Sequence, residues 1–259
     1  MSRARDITSY RPQPCANPNA TPPPPLVNPN TNIRLDNRTL DQFRPIYMTV
    51  GSVTQAAGSA YVEFDGTKVL CSVHEPSASS KDLREYSEVG VVKCDFKFAP
   101  FSSSGDRREL RQSSEEKDYS RMLENSIARS IRLELYPKSV INIHVLVIQS
   151  CGGVLAAAIT CASIALAHAG IECYDMVAAC SAVRLGDVLA LDPSEVESVG
   201  GNANMTLAYM PNLDKITHVT QAGRLIGVQS TDSIDLCVGG CKTLFKMMKQ
   251  CLLTDAEKK

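Results

Sequence analysis

The sequence predicts an α+β fold of mixed sheets with packed helices, and three observations predict it. Between Ile46 and Ala99 apolar residues alternate with polar ones, the period of strands that bury one face. Between Tyr119 and Leu135 the apolar residues recur every four positions, the period of a helix. After Gly152-Gly153 a run from Val154 to Ala169 is apolar or small on every face, which describes a helix buried all round.

The elements follow in order. Ile46-Tyr47-Met48-Thr49-Val50 is rich in β-formers, Ala60 to Phe64 alternates, and Asp65-Gly66 supplies a hairpin turn into Lys68 to Val73. From Glu88 to Ala99, Val92, Cys94, Phe96 and Phe98 fall on one face and Lys93, Asp95 and Lys97 on the other. Together these runs predict a half-buried antiparallel sheet with ordinary surface lysines on its open side. Tyr119, Leu123, Ile127, Ile131 and Leu135 then form the apolar stripe of a helix that Ser113-Ser114-Glu115-Glu116 caps and Pro137 stops. Val140 to Ile148 is the next strand, and Gly170 closes the buried helix. Met176 to Leu191 reads as a hairpin around Gly186-Asp187, Met205 to Met210 and Lys215 to Val219 as strands, and Asp232 to about Leu253 as the last helix. These elements define one domain over residues 32–253, followed by a charged tail at 254–259. Residues 1–31, with Pro22 to Pro25 and repeated Asn and Pro, have the composition of a disordered tail or a Pro-rich docking peptide.

Composition narrows the function classes. With 27 basic against 28 acidic residues in 259, no global field advertises a polyanion or a membrane surface, so any nucleic-acid contact is expected in a local patch. The ten cysteines lie inside apolar runs and read as buried thiols of a reducing compartment. A zinc site is not expected, because Cys237 and Cys241 are the closest approach to paired ligands. The start lacks the apolar core of a signal peptide and the most apolar stretch is short, so a soluble intracellular protein is expected. His74, His144, His168 and His218 lie in separate runs, each expected as a core or edge residue rather than part of a triad.

Several motifs resemble the RNase PH family. Arg34-Leu35-Asp36-Asn37-Arg38 followed by Phe43-Arg44-Pro45-Ile46 is similar to its opening signature, and Gly58 to Phe64 with Thr67 to Leu70 to its first hairpin. Leu135-Tyr136-Pro137-Lys138-Ser139 with Ile141-Asn142-Ile143 resembles the exosome branch, as does Ala169-Gly170-Ile171 before Asp175-Met176-Val177. Gly152-Gly153 followed by Leu155 to Ser163 looks most like the mRNA-transport class of ring subunit, whose studied members are inactive. The likeness spans roughly Ile33 to Gln250. It implies an RNase PH-like fold with two βαβ-type layers and a role as a non-catalytic ring subunit in 3′-to-5′ RNA processing and degradation. The implied partners are other RNase PH-like ring subunits, RNA-binding cap subunits and single-stranded RNA in the channel. The implied location is the nucleus, nucleolus and cytoplasm, with no membrane and no cofactor.

Phosphorolysis needs an anion cradle, carboxylates for metal or acid work, and cations for the RNA backbone. Gly152-Gly153 opening a helix keeps a cradle's geometry, since free N–H groups and the helix dipole face one ligand. In phosphorolytic relatives Thr-Arg follows these glycines, and the arginine holds phosphate; here Val154 and Leu155 stand there, so the resemblance implies a degenerate phosphate site. The resemblance also matches Asp192, Glu197 and Ser198 to three acids, the last of them lost, which leaves either a residual metal pair or a solvated turn. Arg107, Arg108 and Arg111 form the one arginine cluster that the family fold directs at the channel, as an RNA contact or a solvated loop. The alternative reading, an active phosphate-dependent 3′-to-5′ exoribonuclease, requires Arg129 or Arg132 to reach the cradle in place of Leu155.

Overall fold

The computed structural model describes residues 33–77, 89–103, 108, 113–186, 188–224 and 227–257, with Val228 as backbone only. Five strands make the first sheet: β1 (Ile46–Val50), β2 (Gly58–Phe64), β3 (Thr67–Val73), β4 (Val91–Phe98) and β5 (Val140–Gln149), in the order β1-β2-β3-β5-β4. Four make the second: β6 (Ala178–Leu185), β7 (Val188–Leu191), β8 (Ala203–Met210) and β9 (Lys215–Gly223), in the order β7-β6-β8-β9. Helices α1 (Ser114–Ala128), α2 (Val154–His168) and α4 (Gly227–Ala256) each touch both sheets, so they form the middle layer of a β-α-β sandwich. A short α3 (Glu195–Gly200) follows β7.

The α+β reading therefore holds, with corrections. The first sheet is mixed rather than antiparallel, because β4 pairs with β5 in parallel, Val91 opposite Val140 through Phe98 opposite Val147. Two parallel neighbours need a crossover, and α1 supplies it. The four-residue stripe ends with α1 at Ala128 rather than at Leu135. Beyond Arg129 the chain leaves the helix so that Ile131 can bridge Cys173, and Leu135 ends in a 3-10 turn, exposed. The charged tail is also shorter than expected, since α4 continues to Ala256. Asp65 takes a left-handed φ of +50° to turn the β2–β3 hairpin, a conformation that Asp and Asn tolerate better than most side-chain-bearing residues.

Helix α1 does more than cover the sheet. β4 is an edge strand whose outward N–H groups have no neighbouring strand, and α1 answers them in register. Glu116 Oε1 accepts from Phe98 N at 2.9 Å, Ser120 Oγ from Phe96 N at 3.1 Å and Glu124 Oε1 from Cys94 N at 2.9 Å. The period of two on the strand meets the period of four on the helix, and the edge is closed against further pairing. Glu116 also completes a capping box with Ser113.

Helix α2 is buried along Val154 to Leu166, and the outer face of the first sheet is open. On that face His74 and His144 meet edge to face at 5.2 Å, with His144 Nδ1 3.6 Å from Asp95. These two histidines are neighbours on an exposed surface, and not core residues. Lys97 pairs with Asp95 at 3.0 Å on the same side. The nine described cysteines are free, and burial pushes the thiols of Cys71, Cys94 and Cys180 well up. Among the described residues no helix is long and apolar enough to cross a membrane.

Candidate active-site cleft

A cleft of about 540 Å³ opens where α1, the start of α2, the α3 segment and the second sheet converge. Its floor is the turn into α2, with Gly152 and Gly153 at φ +89° and +63°. A Cβ on Gly152 would lie 2.6 Å from Pro193 O and 2.8 Å from Glu195 N, so only glycine lets this turn pack against the chain that leads into α3. Leu155, 6% exposed, stands in the wall. Ser198 faces it, with Ser181, Asn204, Thr206 and Thr220 from the end of the second sheet. Gly152, Gly153, Leu155 and Ser198 thus line one cleft.

The two surviving acids are elsewhere. Asp192 and Glu197, 3% and 1% exposed, lie behind the floor in a cluster with three arginines. Both Asp192 oxygens bind Arg44: Oδ2 accepts from the backbone N and from Nε at 3.0 Å each, and Oδ1 from Nη2 at 2.7 Å. Arg44 Nη1 and Nη2 also donate to the carbonyls of Cys151 and Gly152, which clamps the glycine turn from below. Arg34 donates to the carbonyls of Leu40 and Leu191 and lies 3.6 Å from Glu197; Arg38 donates to Asp192 O and lies 3.8 Å from Glu197. Glu197 Oε2 closes a capping box on Ser194. Burial alone would lower the Arg44 pKa, but the bonds to Asp192 outweigh it and raise the value, whereas burial wins for Arg34 and lowers it. The solvated turn expected at Asp192 and Glu197 is therefore a buried ion cluster. The motif residues Arg34, Arg38 and Arg44 were legible as a signature, but their pairing with acids some 150 positions away was not.

No lysine or arginine lines the cleft among the described residues. Arg129 donates to Thr217 O and Arg132 pairs with Glu172 and lies over the Tyr174 ring, so neither reaches the cradle. Instead Glu115 and Asp118 from α1 and Glu195 from α3 give the lining three carboxylates, Glu115 among the first-turn acids of α1. Arg108 lies 3.9 Å over the Phe98 ring and pairs with Glu115 at 3.2 Å. Arg107 and Arg111 fall outside the described residues.

A sandwich of this topology, with a glycine turn at the floor of its cleft, defines a class of protein. Residues 42–172 match the 3′ exoribonuclease family, domain 1, and residues 175–235 match domain 2 of the same family. The chain belongs to the RNase PH, or 3′ exoribonuclease, family. Among relatives, exosome complex component mtr3 of Schizosaccharomyces pombe is 33% identical over 247 residues, 93% of this chain and 95% of that protein. Exosome complex component Rrp41 of Cenarchaeum symbiosum is 33% identical over 220 residues, 85% and 90% respectively. The crystal structure of rice Rrp46 shares the fold, with a TM-score of 0.75 at 22% identity over 83% of this chain and 98% of that one.

Proposed function

We propose that this chain is a non-catalytic ring subunit of an RNA exosome, one unit over residues 32–253 that shapes the ring and its RNA channel. One observation carries the reading. The cleft that would hold phosphate is lined by Leu155 and three carboxylates and by no described cation. Phosphate brought there would lack the charge-assisted bond that a phosphorolytic site needs, and losing such a bond costs about 1.5–3 kcal/mol. Asp192 is committed to Arg44 through both oxygens, which leaves it no open side for a metal ion. The relatives' membership of exosome complexes supports the ring reading, with related ring subunits and RNA-binding cap subunits as partners and the nucleus, nucleolus and cytoplasm as the location.

RNA contact is assigned to Arg107, Arg108 and Arg111, the arginine cluster that the family resemblance directs at the channel. Arg108 is already shared with Phe98 and Glu115, so Arg107 and Arg111 carry most of the contact. Affinity purification of the tagged chain tests the assembly: a stoichiometric complex with related family members is expected, and recovery as a lone, monodisperse monomer would overturn it.

A further inference from the structure

Two strands end their sheets beside α1, and the helix treats them differently. At β4 its side chains accept from three backbone N–H groups and close the edge. At β9, the last strand of the second sheet, the described residues supply one bond from the end of α1: Arg129 Nη1 donates to Thr217 O at 3.2 Å. Beside that bond a groove of about 410 Å³ opens between the end of α1, the residues before β6 and the β8–β9 hairpin. Met210 in its lining is buried, but Tyr174, Leu213 and Ile216 are 52%, 43% and 44% exposed. Large apolar side chains gathered in the open on an edge strand and its hairpin mark a surface that another chain covers.

The charge around them is one-sided. Arg129 and Lys215 also line the groove, and neither pairs with a carboxylate among the described residues. The acids that flank the lining in sequence are committed elsewhere. Asp175 accepts from Asn212 and from Leu213 N, Asp214 from the Tyr209 hydroxyl, and Glu172 pairs with Arg132. Cations around an apolar floor complement a segment that brings carboxylates with its apolar side chains. Nucleic acid fits less well, because it needs aromatic platforms: the lining is aliphatic apart from Tyr174, and Arg132 already lies over that ring at 5.5 Å. We propose that the groove receives a segment of a partner protein in which carboxylates flank apolar side chains, the apolar ones on Leu213 and Ile216 and the carboxylates at Arg129 and Lys215. The inference deepens the ring-subunit reading and rests on it for the existence of a neighbour.

The test uses the purified full chain and two labelled probes, an acetylated nonapeptide in which Leu alternates with Glu and a ten-nucleotide oligouridine. Fluorescence anisotropy measures their affinity for the unaltered chain, and p-benzoylphenylalanine at Ile216 reports by photo-crosslinking whether they sit in the groove. Saturable binding of the peptide and its crosslinking from Ile216 are expected. Lys215→Glu, a change at an exposed side chain, should weaken peptide binding at least fivefold, and adding Arg129→Glu should weaken it further. A peptide with Lys in place of Glu should prefer that double variant. Absence of peptide binding, an affinity that charge reversal leaves unchanged, or crosslinking from Ile216 to oligouridine in preference to the peptide would overturn the proposal. The readout needs no assembled ring, so failure here is distinguishable from failure of the ring reading, which purification as a lone monomer would show.

Discussion

The two sides of the Gly152-Gly153 turn differ in what they keep. Behind it, three arginines and two carboxylates are buried and locked together, with Arg44 gripping both Asp192 and the carbonyls of the turn. In front of it, Leu155 and Ser198 line the cleft, where the family resemblance implies a phosphate arginine and a third acid. The back wall shapes the chain: it joins the residues before β1 to the end of β7 and to α3, and a single missing partner would strand a buried charge. The front wall faces the open cleft, although Leu155 within it also packs into the core. A protein can lose the front and keep its fold, while losing the back removes the fold as well.

The largest effect should come from breaking the back wall. Asp192→Ala leaves the Arg44 guanidinium buried without its partner, and about 3–5 kcal/mol of stability should be lost in urea unfolding. The same substitution is therefore unsuitable as a test of activity. Glu116→Ala should cost about 1–3 kcal/mol, because it removes the α1 capping box and leaves the buried Phe98 N–H without an acceptor. By contrast Ser198→Asp, on the front wall and partly exposed, should change stability by no more than about 0.5 kcal/mol. A loss comparable to that of Asp192→Ala would erase the distinction between the walls. The smallest effect concerns RNA. Replacing Arg107 and Arg111 by Ala should lower the slope of log K against log salt by about 1.4 for single strands on the assembled ring, equally for every sequence. An unchanged slope would make that segment a solvated surface.

Most of the architecture was legible where periodicity speaks for itself. The alternation of Val92, Cys94, Phe96 and Phe98 and the all-apolar run from Val154 are local patterns, and the strands and the buried helix lie where they indicate. The parallel pairing of β4 with β5 was not legible, since alternation says which face is buried but not which neighbour is bonded. Leu135 misled because a four-residue spacing can continue by chance past the end of a helix. For the site, motif position singled out Gly152, Gly153, Leu155 and Ser198, and all four line the cleft. Asp192 and Glu197 were misread as solvated because their environment is set by Arg34, Arg38 and Arg44, distant in sequence and adjacent only in the fold. The acid lining from Glu115 and Asp118 was hidden for the same reason.

The central claim is that the cleft no longer performs phosphorolysis, and single-turnover incubation of the purified chain with RNA, inorganic phosphate and Mg²⁺ tests it most directly. No nucleoside diphosphate should be released, whether or not a related ring subunit free of activity is present. Diphosphate release that requires phosphate and scales with the amount of this chain alone would contradict the account.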